Sequence, residues 1–477
     1  MSKDLGIQAK KEDDFSNWYT EVVQKAGLAD YTKVSGCMVF MPRSYEIWEK
    51  IQGFLDKKFK KAGVKNAYFP LFIPESLLTR EKEHVEGFTP EVAWVTHSGD
   101  TKLNERLAVR PTSETIMYDS YSQWIRSHRD LPLRLNQWCS VVRWEFSHPV
   151  PFLRTREFLW QEGHTVFATK EEADKEVLEM LDYYAEAYEE VLAIPTIKGI
   201  KSEKEKFAGA LYTTTLEIVL PNGKAIQGCT SHQLGQNFSK AFNISFTDDQ
   251  EKNQFAWQNS WGFTTRSIGV MIMMHSDNKG LVIPPKAASL HAVIVPILVG
   301  DKKEEVLKKC KELKKHLKHI EVTLDDRDYT PGWKYNDWEM KGVPLRIELG
   351  PKDMEKDQVV IVRRDTGKKE FVPISKADER AKEMLEEMQK DLFDKAKKHL
   401  EDSIVSVHSE KELLNVLDNK KIAKASWCNF RECEDGIKEK TGAKSLCMPF
   451  DESAPKPGTK CLCGKDAKVV MLFGRSY

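Results

Sequence analysis

The apolar positions of the first 285 residues follow two different periods. Spacings of three and four residues predict one helix over Arg43–Lys61 and another over Glu171–Leu192. Apolar runs with the composition of strands occupy Leu131–Phe146, Phe158–Phe167 and Tyr212–Leu220. The last of these runs leads through a Pro-Asn-Gly-Lys turn into a returning strand. Helices set into a series of hairpins predict an α+β domain with an antiparallel sheet.

A second pattern begins after Ile283-Pro284-Pro285, which is the predicted linker. Short strands alternate there with helices, among them Lys302–Lys318, and this alternation predicts a compact α/β domain. A charged amphipathic helix over Lys376–Leu400 then leads to a cysteine-rich tail, for which we expect a small α/β unit. The predicted domains therefore cover residues 1–285, 286–385 and 386–477.

Composition narrows the class of protein. The 477 residues carry 73 Lys and Arg against 73 Asp and Glu, and 40% are hydrophobic. This balance favours a globular protein over a disordered one and argues against a nucleic-acid binder that works by bulk positive charge. Apolar stretches such as Ala292–Val299 fall far short of the roughly 20 residues of a membrane helix. The first residues lack the apolar core of a secretory signal, so we expect a cytoplasmic protein without membrane partners.

The cysteines are unevenly distributed along the chain. Five of the nine lie in the last 50 residues, at Cys428, Cys433, Cys447, Cys461 and Cys463. An odd total with one terminal cluster is a poor disulfide framework and favours a metal site. Free buried thiols are the alternative interpretation.

Charged and aromatic residues concentrate around the loop between the first two predicted strands. Arg143 and Glu145 are two residues apart, so both side chains would share one face of a strand. An arginine held there can clamp a phosphate or carboxylate, while the glutamate orients it. An isolated pair of this kind is more often a solvated ion pair. Here it is followed by Thr-Arg-Glu-Phe-Leu-Trp-Gln-Glu-Gly-His-Thr, in which aromatic and charged residues occupy alternate positions.

This strand–loop–strand run resembles motif 2 of the class II aminoacyl-tRNA synthetases, which binds ATP. The helix Arg43–Lys61 resembles motif 1, and the segment Ser260–Val270, in which Arg266 enters an apolar helix, resembles motif 3. The segments Val109–Glu114 and Gln227–Phe242, together with Trp333–Pro351 and the terminal cysteines, resemble the archaeal/eukaryotic-type branch of the prolyl-tRNA synthetase family. This resemblance covers essentially the whole chain.

The resemblance implies an ATP-dependent proline–tRNA ligase. Such an enzyme activates L-proline with ATP to prolyl-adenylate and pyrophosphate, then transfers prolyl to the 3′ end of tRNA(Pro). Because the first step joins two anions, it needs positive charge and alignment. The implied catalytic residues are Arg143, which would bridge the carboxylate and the α-phosphate, and Arg266, which would contact the γ-phosphate or the adenine. The other implied ATP contacts are Glu145, Arg154, Phe158, Gln227, Thr230 and Thr264, and Glu217 would hold Mg²⁺.

For proline, the resemblance implies a pocket that takes a secondary ammonium and a small apolar ring. Thr112 and Glu114 would lie at the amine, where a carboxylate favours the charged form, and Arg143 would also contact proline. Phe88 and Glu91 would border the entrance for the tRNA terminus. The ring would be enclosed by Trp160, Glu162, His164, Phe207 and His232. A purely structural hydrogen-bonding role for His232 is the alternative.

For tRNA, the resemblance implies that Glu339, Arg346 and Lys368 read the guanines of proline anticodons. Arginine is the usual partner of the O6/N7 edge of guanine. The helix Lys302–Lys318 carries eight Lys and three Glu, a local net charge of +5. This helix is either an ordinary solvated face or a contact for tRNA phosphates, in which case the affinity would depend on salt.

The family pattern selects Cys428, Cys433, Cys461 and Cys463 as ligands of a structural Zn²⁺ and leaves Cys447 out. Four thiolates leave no open coordination position. The C-terminal Tyr477 would pack toward the first domain, and motif 1 would form a homodimer. About 60 residues separate the motif 2 strand from Gln227, which is too few for the editing insertion of bacterial relatives, so we expect no cis-editing.

Two other hypotheses remain open at this point. A synthetase for threonine, glycine or histidine would share the anticodon-binding domain, although Thr-Ser-Glu and Gln-Glu-Gly-His-Thr disfavour it. A catalytically silent tRNA- or protein-binding paralogue belongs to a different class. The presence of all three motif arginines, Arg143, Arg154 and Arg266, argues against it.

Overall fold

The structure, a computed structural model, describes residues 6–84, 91–145 and 148–477. Its first domain is built on an eight-stranded sheet. The helices of this domain are α1 (Phe15–Lys25), α2 (Pro42–Lys61), α3 (Glu75–His84), α4 (Glu114–Trp124), α5 (Lys170–Glu186), α6 (Asn237–Phe242) and α7 (Arg266–His275). Its strands are β1 (Ala29–Tyr31), β2 (Met38–Phe40), β3 (Lys65–Asn66), β4 (Phe72–Pro74), β5 (Trp94–Ser98), β6 (Thr101–Val109), β7 (Leu133–Val142), β8 (Glu157–Phe167), β9 (Ile197–Ile200), β10 (Tyr212–Val219), β11 (Ala225–Gly235), β12 (Ser245–Thr247), β13 (Asn253–Phe255) and β14 (Trp257–Thr264).

The central strands of the large sheet run in the order β9-β10-β11-β14-β8-β7-β3, and all neighbours except β7 and β3 are antiparallel. The predicted α+β domain with an antiparallel sheet is therefore confirmed. One face of the sheet packs on α2, α5 and α7 in the largest apolar core of the described residues. Alternate residues of the strands point to the other face and line an open cavity.

Local sequence accounts for the two helices that cover the core face. Helix α2 has Pro42 at its first position, three lysines in its last turn, and a buried stripe that includes Ile47, Ile51 and Leu55. Helix α5 begins with a capping box, in which the Thr169 and Glu172 side chains satisfy each other's backbone amides. Each helix begins one residue before its predicted first residue.

The middle domain has strands β15 (Ala292–Pro296), β16 (Val322–Leu324), β17 (Leu345–Leu349), β18 (Gln358–Arg363) and β19 (Lys369–Pro373), and helices α8 (Lys303–His316), α9 (Pro331–Met340) and α10 (Pro351–Glu355). Its sheet has the order β16-β15-β17-β18-β19, parallel among the first three strands and antiparallel in the rest. This arrangement agrees with the predicted alternation of short strands and helices.

Helix α11 (Ala377–Ser403) runs from the middle domain into the C-terminal domain and crosses the predicted boundary at residue 385 without a break. The elements that follow are β20 (Ile404–Val407), α12 (Glu410–Asp418), β21 (Ile422–Trp427), α13 (Arg431–Thr441), β22 (Lys444–Ser445), β23 (Met448–Pro449) and β24 (Val469–Gly474). Four of these strands form a sheet of their own, whereas β23 pairs with β9 and extends the large sheet of the first domain. The C-terminal domain is thus tied to the first domain through backbone hydrogen bonds.

The strand predicted over Leu131–Phe146 is wrong at its end, because β7 stops at Val142. The amide of Trp144 donates to the carbonyl of Glu91, at 3.0 Å, so the backbone turns away from β8 after Arg143. Glu145 consequently lies in an exposed turn and does not share a strand face with Arg143.

Candidate active site

The cavity on the open face of the large sheet has a volume of about 290 Å³. Its floor consists of side chains brought side by side by the register of four antiparallel strands. One row across the sheet joins Thr213, His232, Ser260 and His164. The next row joins Thr230, Gly262 and Glu162. Residues far apart in sequence therefore meet because strand pairing aligns them.

The two predicted catalytic arginines lie at one end of this cavity. The Nε of Arg143 donates to the carbonyl of Pro111, at 3.0 Å, and its guanidinium lies 5.3 Å from the ring centroid of Trp160. Arg266, the first residue of α7, donates to the carbonyls of Gln227 and Leu153, at 3.2 and 3.4 Å. Because backbone carbonyls and a ring fix them, both guanidiniums are held in place before any substrate binds.

Positive charge accumulates at this end of the cavity. Burial, together with the charges of Arg143 and Arg154, lowers the pKa of Arg266. No carboxylate among the described residues forms an ion pair with Arg143, Arg154 or Arg266. An anion placed between these guanidiniums would relieve their repulsion, which is the electrostatic condition for binding phosphate or carboxylate.

The opposite, closed end of the cavity contains buried acidic groups. Glu162 accepts hydrogen bonds from the Ser113 amide at 3.0 Å, the Gln137 amide group at 3.1 Å and His164 Nε2 at 3.0 Å. Burial alone would raise the pKa of Glu162, but the hydrogen bonds from His164, Ser113 and Gln137 outweigh it and lower the pKa below its usual value. The carboxylate is therefore kept ionised in a closed site.

His164 lies between two carboxylates. Burial would lower its pKa, but the charges of Glu114 and Glu162 raise it above the ordinary value. The ligand atoms of Glu114, Glu162 and His164 all lie within 4.8 Å of one another. Thr112 donates its hydroxyl to Glu114, which fixes that side chain as well. Such a buried acidic group suits a cationic ligand.

Aromatic rings enclose the same end of the cavity. The ring of Phe207 lies 4.7 Å from that of His232, whose two nitrogens are each 2.9 Å from a threonine hydroxyl, Thr213 and Thr230. Burial and the charge of His164 lower the pKa of His232 to about 3, so this imidazole is neutral at physiological pH. Trp160 forms the remaining wall next to Phe158.

The structure brings together most of the predicted site residues. The cavity is lined by Thr112, Glu114, Arg143, Phe158, Trp160, Glu162, His164, Phe207, Gln227, Thr230, His232, Thr264 and Arg266. Arg154 and Glu217 line a second, adjoining cavity instead. Glu145 lines neither, and Phe88 lies outside the described residues.

Sequence reasoning missed several residues that line the cavity, among them Thr155, Glu205, Thr213, Ser260 and Gly262. Thr213 and Ser260 are the cross-strand neighbours of His232, and Gly262 is the neighbour of Glu162. Their signal in the sequence is the period-two alternation of strands, but the partner strand and its register are needed to use it.

The second cavity, of about 170 Å³, is closed on one side by the C-terminal domain. Lys444 and Tyr477 line it together with Arg154 and Arg266. Tyr477 accepts a hydrogen bond from Asn222 at 2.8 Å, and its ring lies 4.7 Å from the ammonium of Lys224. The predicted packing of the C-terminal tyrosine against the first domain is thus present.

Four of the terminal cysteines meet in one cluster. The sulfurs of Cys428 and Cys463 are 3.7 Å apart and those of Cys433 and Cys461 are 3.6 Å apart. Zn–S bonds of about 2.3 Å in a tetrahedron place the sulfurs roughly 3.8 Å from each other, so these separations fit the ion. Cys447 is buried elsewhere, with its Sγ beside Gly199.

In the middle domain, Glu339 and Arg346 contact each other. Arg346 donates to Glu339 at 3.1 Å and to Glu348 at 2.9 Å, and its guanidinium lies 4.0 Å from the ring of Tyr335. The predicted Lys368 lies in the exposed turn before β19. Its neighbour Lys369, which the sequence did not single out, has its ammonium 3.7 Å from Glu348.

Three family models match successive parts of the chain. The family model for the tRNA synthetase class II core domain (G, H, P, S and T) matches residues 94–275, and the anticodon binding domain matches residues 291–384. A third model, prolyl-tRNA synthetase, C-terminal, matches residues 410–477. Fold, site and these matches together define a class II tRNA synthetase.

Relatives with high sequence identity show which family within this class the chain belongs to. The proline–tRNA ligase of Lachnoclostridium phytofermentans is 54% identical over 98% of this chain and 97% of its own length. The cytoplasmic proline–tRNA ligase of Arabidopsis thaliana is 51% identical over 99% of this chain and 91% of its own length. The chain belongs to the proline–tRNA ligase family, which confirms the resemblance that the sequence motifs indicated.

Two further relatives are longer than this chain. The bifunctional glutamate/proline–tRNA ligases of Cricetulus griseus and Mus musculus are 52% and 51% identical over 99% of the chain, which spans about a third of their length, 33% in each case. Among the described residues, no helix is both long enough and apolar enough to cross a bilayer.

Proposed function

We propose that this chain is an ATP-dependent proline–tRNA ligase, which activates L-proline as prolyl-adenylate and transfers prolyl to the 3′ end of tRNA(Pro). The observation that carries this proposal is the division of one cavity into a cationic end and a closed, buried acidic end. The identity to proline–tRNA ligases over nearly their whole length supports the choice of amino acid.

Proline would bind with its ring and amine at the closed end. Two carboxylates, Glu114 and Glu162, lie beside the single imidazole of His164, and hydrogen bonds hold the pKa of Glu162 below its usual value, so this end suits a secondary ammonium. The rings of Trp160 and Phe207 and the neutral His232 line this end and would enclose a small apolar ring. Because His232 is uncharged, it does not repel the ammonium.

In the activation step, a carboxylate oxygen of proline forms a bond to the α-phosphorus of ATP, and the bond from that phosphorus to pyrophosphate breaks. Both reactants are anions, so their approach inside a protein is unfavourable unless positive charge lies beside them. Arg143 and Arg266 supply that charge from fixed positions. Phe158 offers a ring for the adenine, and Arg154 in the adjoining cavity offers charge for the leaving phosphates.

Mg²⁺ is used by this class of enzyme and supplies further positive charge to the phosphates of bound ATP. Glu217, the predicted ligand, accepts hydrogen bonds at its Oε1 from Lys201, at 2.6 Å, and from Thr215, at 2.9 Å. An ion at this carboxylate would have to compete with the Lys201 ammonium. The role of Glu217 as a magnesium ligand therefore stays a prediction.

The four clustered thiols fit a structural zinc ion, which Cys428, Cys433, Cys461 and Cys463 would hold. Cys428 directly follows β21 and Cys433 lies in the first turn of α13, while Cys461 and Cys463 lie in the loop before β24. The ion would therefore cross-link these three segments. Four sulfur ligands leave no position for a substrate, and zinc would supply stability only.

The second half-reaction requires tRNA at both ends of the molecule. In the middle domain, Arg346 and Glu339 would recognise guanine through its O6/N7 edge and its N–H donors respectively. The lysines of α8 are mostly exposed, while Val306, Cys310 and Leu313 of this helix are buried. These lysines would add salt-dependent phosphate contacts.

A homodimer and a cytoplasmic location complete the proposal. Large apolar side chains are exposed on the elements that surround motif 1, including Tyr31, Val39, Tyr45 and Phe72. Exposed apolar groups of this kind are typical of an interface, and a two-fold axis is the commonest arrangement. The location is supported by the Arabidopsis relative, which is named cytoplasmic.

The experiment that tests the function is amino-acid-dependent ATP–pyrophosphate exchange with each of the twenty amino acids. We expect exchange with proline. Exchange with threonine, glycine or histidine but not proline would establish a different synthetase, and no exchange with any amino acid would indicate a silent tRNA- or protein-binding relative.

A variant separates activation from tRNA binding. Arg143→Ala should abolish proline-dependent exchange, because it removes charge from the cationic end of the cavity, and should leave tRNA binding within about threefold of the wild type. Arg156→Ala is the matched control, since the Arg156 guanidinium lies over Trp144 outside both cavities. Retained exchange in the Arg143 variant would remove the role assigned to this arginine.

A further inference from the structure

A third cavity lies between the first domain and the C-terminal part of the chain, and it shares no lining residue with the candidate active site. Its volume of about 550 Å³ exceeds the roughly 290 Å³ of the active-site cavity. Its walls come from the N-terminal segment before α1, the turn after β10, the end of α7 with the residues that follow, helix α11, and Lys420. We refer to it below as the junction cavity. Its size falls in the usual range of small-molecule sites.

Positive charge is concentrated in the junction cavity. Lys11, Lys395 and Lys420 line it from three different parts of the chain. Lys11 donates to the carbonyl of Ser276, at 2.7 Å, and burial together with the charge of Lys395 lowers its pKa to about 8. Neither Lys395 nor Lys420 has an ion-pair partner in the described part of the chain.

The acidic groups of the junction cavity are already engaged. Asp277 receives two hydrogen bonds from the guanidinium of Arg364, at 2.7 and 2.8 Å. Glu12 accepts from Asn278, at 3.0 Å. Both carboxylates also attract the Lys11 ammonium. Three lysines line the cavity against these two acidic residues, one of which is paired with Arg364, so the wall keeps an excess of positive charge.

The remaining wall of the junction cavity is apolar and amide-lined. Phe15, Met274 and Leu392 offer apolar surface, and Asn222 offers an amide. A cavity lined by both apolar side chains and lysines fits a molecule with an apolar body and one anionic group. We propose that the junction cavity is a binding site for a small organic anion, a phosphate ester or a carboxylate, that is distinct from the substrates of the ligase reaction.

The position of the junction cavity indicates what binding would affect. His275 at the end of α7 lines it, and Arg266 at the beginning of the same helix lines the active site. The Asp277–Arg364 ion pair next to it joins the first domain to the middle domain. A ligand in the junction cavity would therefore contact the elements that hold the active site and the anticodon-binding domain in their relative positions.

Three probes with the same ring test the proposal on the full chain. Pyridoxine 5′-phosphate carries a phosphate ester, 4-pyridoxic acid carries a carboxylate, and pyridoxine carries neither. Their affinities are measured by isothermal titration calorimetry in the presence of a non-hydrolysable prolyl-adenylate analogue, which occupies the active site. We expect one or both anionic probes to bind at least about tenfold more tightly than pyridoxine, and the stronger of the two identifies the anionic group.

Exposed lysines of α11 provide the variant and its control. Lys395→Met should weaken binding of the anionic probe about tenfold, whereas Lys390→Met, on the same helix but outside the cavity, should leave it unchanged. Lys420→Met, on a different element, should weaken it as well. Equal binding of all three probes, no binding of any of them, competition by the adenylate analogue, or wild-type affinity in both Lys395→Met and Lys420→Met would overturn the proposal. Because exchange activity is not the readout, these outcomes are independent of the proposed ligase function.

Discussion

Replacement of Glu162 by glutamine tests the electrostatics of the proposed proline pocket most directly. Both carboxylate oxygens of Glu162 accept more than one donor: Oε1 accepts from Ser113 Oγ, Gln137 and the Cys139 thiol, and Oε2 accepts from the Ser113 amide and His164. Glutamine keeps one oxygen and places an NH₂ group against the donors of the other. At least one buried donor is then left without an acceptor, at a cost of about 1–3 kcal/mol.

The substitution also removes one of the two carboxylates that lie beside His164 and, in the proposed complex, beside the ammonium of proline. Together these losses amount to about 3–4 kcal/mol, so kcat/KM for proline should fall about 10²–10³-fold. The assay is proline-dependent ATP–pyrophosphate exchange. The KM for ATP should stay within about threefold, because Glu162 lies at the closed end of the cavity and the arginines lie at the other.

The matched control is Glu157→Gln, which makes the same chemical change at an exposed position of the same strand. It should behave as the wild type. If the folded Glu162→Gln protein kept kcat/KM for proline within threefold of the wild type, or lost activity through the KM for ATP alone, the assignment of Glu162 to the amine side would be wrong.

Three other outcomes are expected. Metal analysis of protein purified without chelator should give about one zinc per chain. The zinc content should be unchanged in Cys447→Ser and lowered in Cys428→Ser. Zinc-free wild-type protein would contradict the proposed zinc site. The pKa of His232 is about 3 in the folded chain and near its usual 6.5 in the unfolded chain, so the free energy of unfolding falls as the pH drops below 6.5, by up to about 1.4 kcal/mol per pH unit. Urea unfolding of His232→Asn between pH 6.5 and 5 should show a shallower fall of this free energy with pH. An unchanged slope would argue against a neutral His232. Arg346→Lys should raise the KM for tRNA about 10–100-fold in aminoacylation and leave tRNA-independent exchange unchanged, whereas an equal loss in both assays would exclude a role in anticodon recognition.

The helices of the large core and most of the strands were predictable from apolar spacing, because each buries one stripe against a common core. Helix α2 begins one residue before the prediction, and α5 begins one residue before it as well. The C-terminal end of β7 was harder to predict from the sequence. It depends on the hydrogen bond from Trp144 to the Glu91 carbonyl, which lies in a loop about 50 residues earlier in the chain. Local pattern carries no information about such a contact.

The same distinction applies to the site. Arg143, Glu162, His164 and Arg266 were predictable because they lie in recognisable motifs, and the structure places all four in one cavity. Ser260 and Thr213 were not, because each reaches the cavity only through the register of its strand with its neighbour. Lys369 was not predicted for a similar reason, because the position of its strand in the sheet, rather than its sequence neighbours, brings it close to Glu348.

The sequence by itself therefore determined the order of elements, the family, the four clustered cysteines and the residue types that the chemistry requires. Each of these features can be read from periodicity or from short motifs, which are local patterns in the sequence. Only the tertiary structure decided which charges are left uncompensated. The arginines of the active site and the lysines of the junction cavity come from separate segments, and their mutual repulsion exists only after folding brings them together. A net charge of zero along the chain is thus compatible with a cationic end of the active-site cavity and an excess of lysines in the junction cavity, since electrostatic interactions depend on distance in space rather than on distance along the sequence.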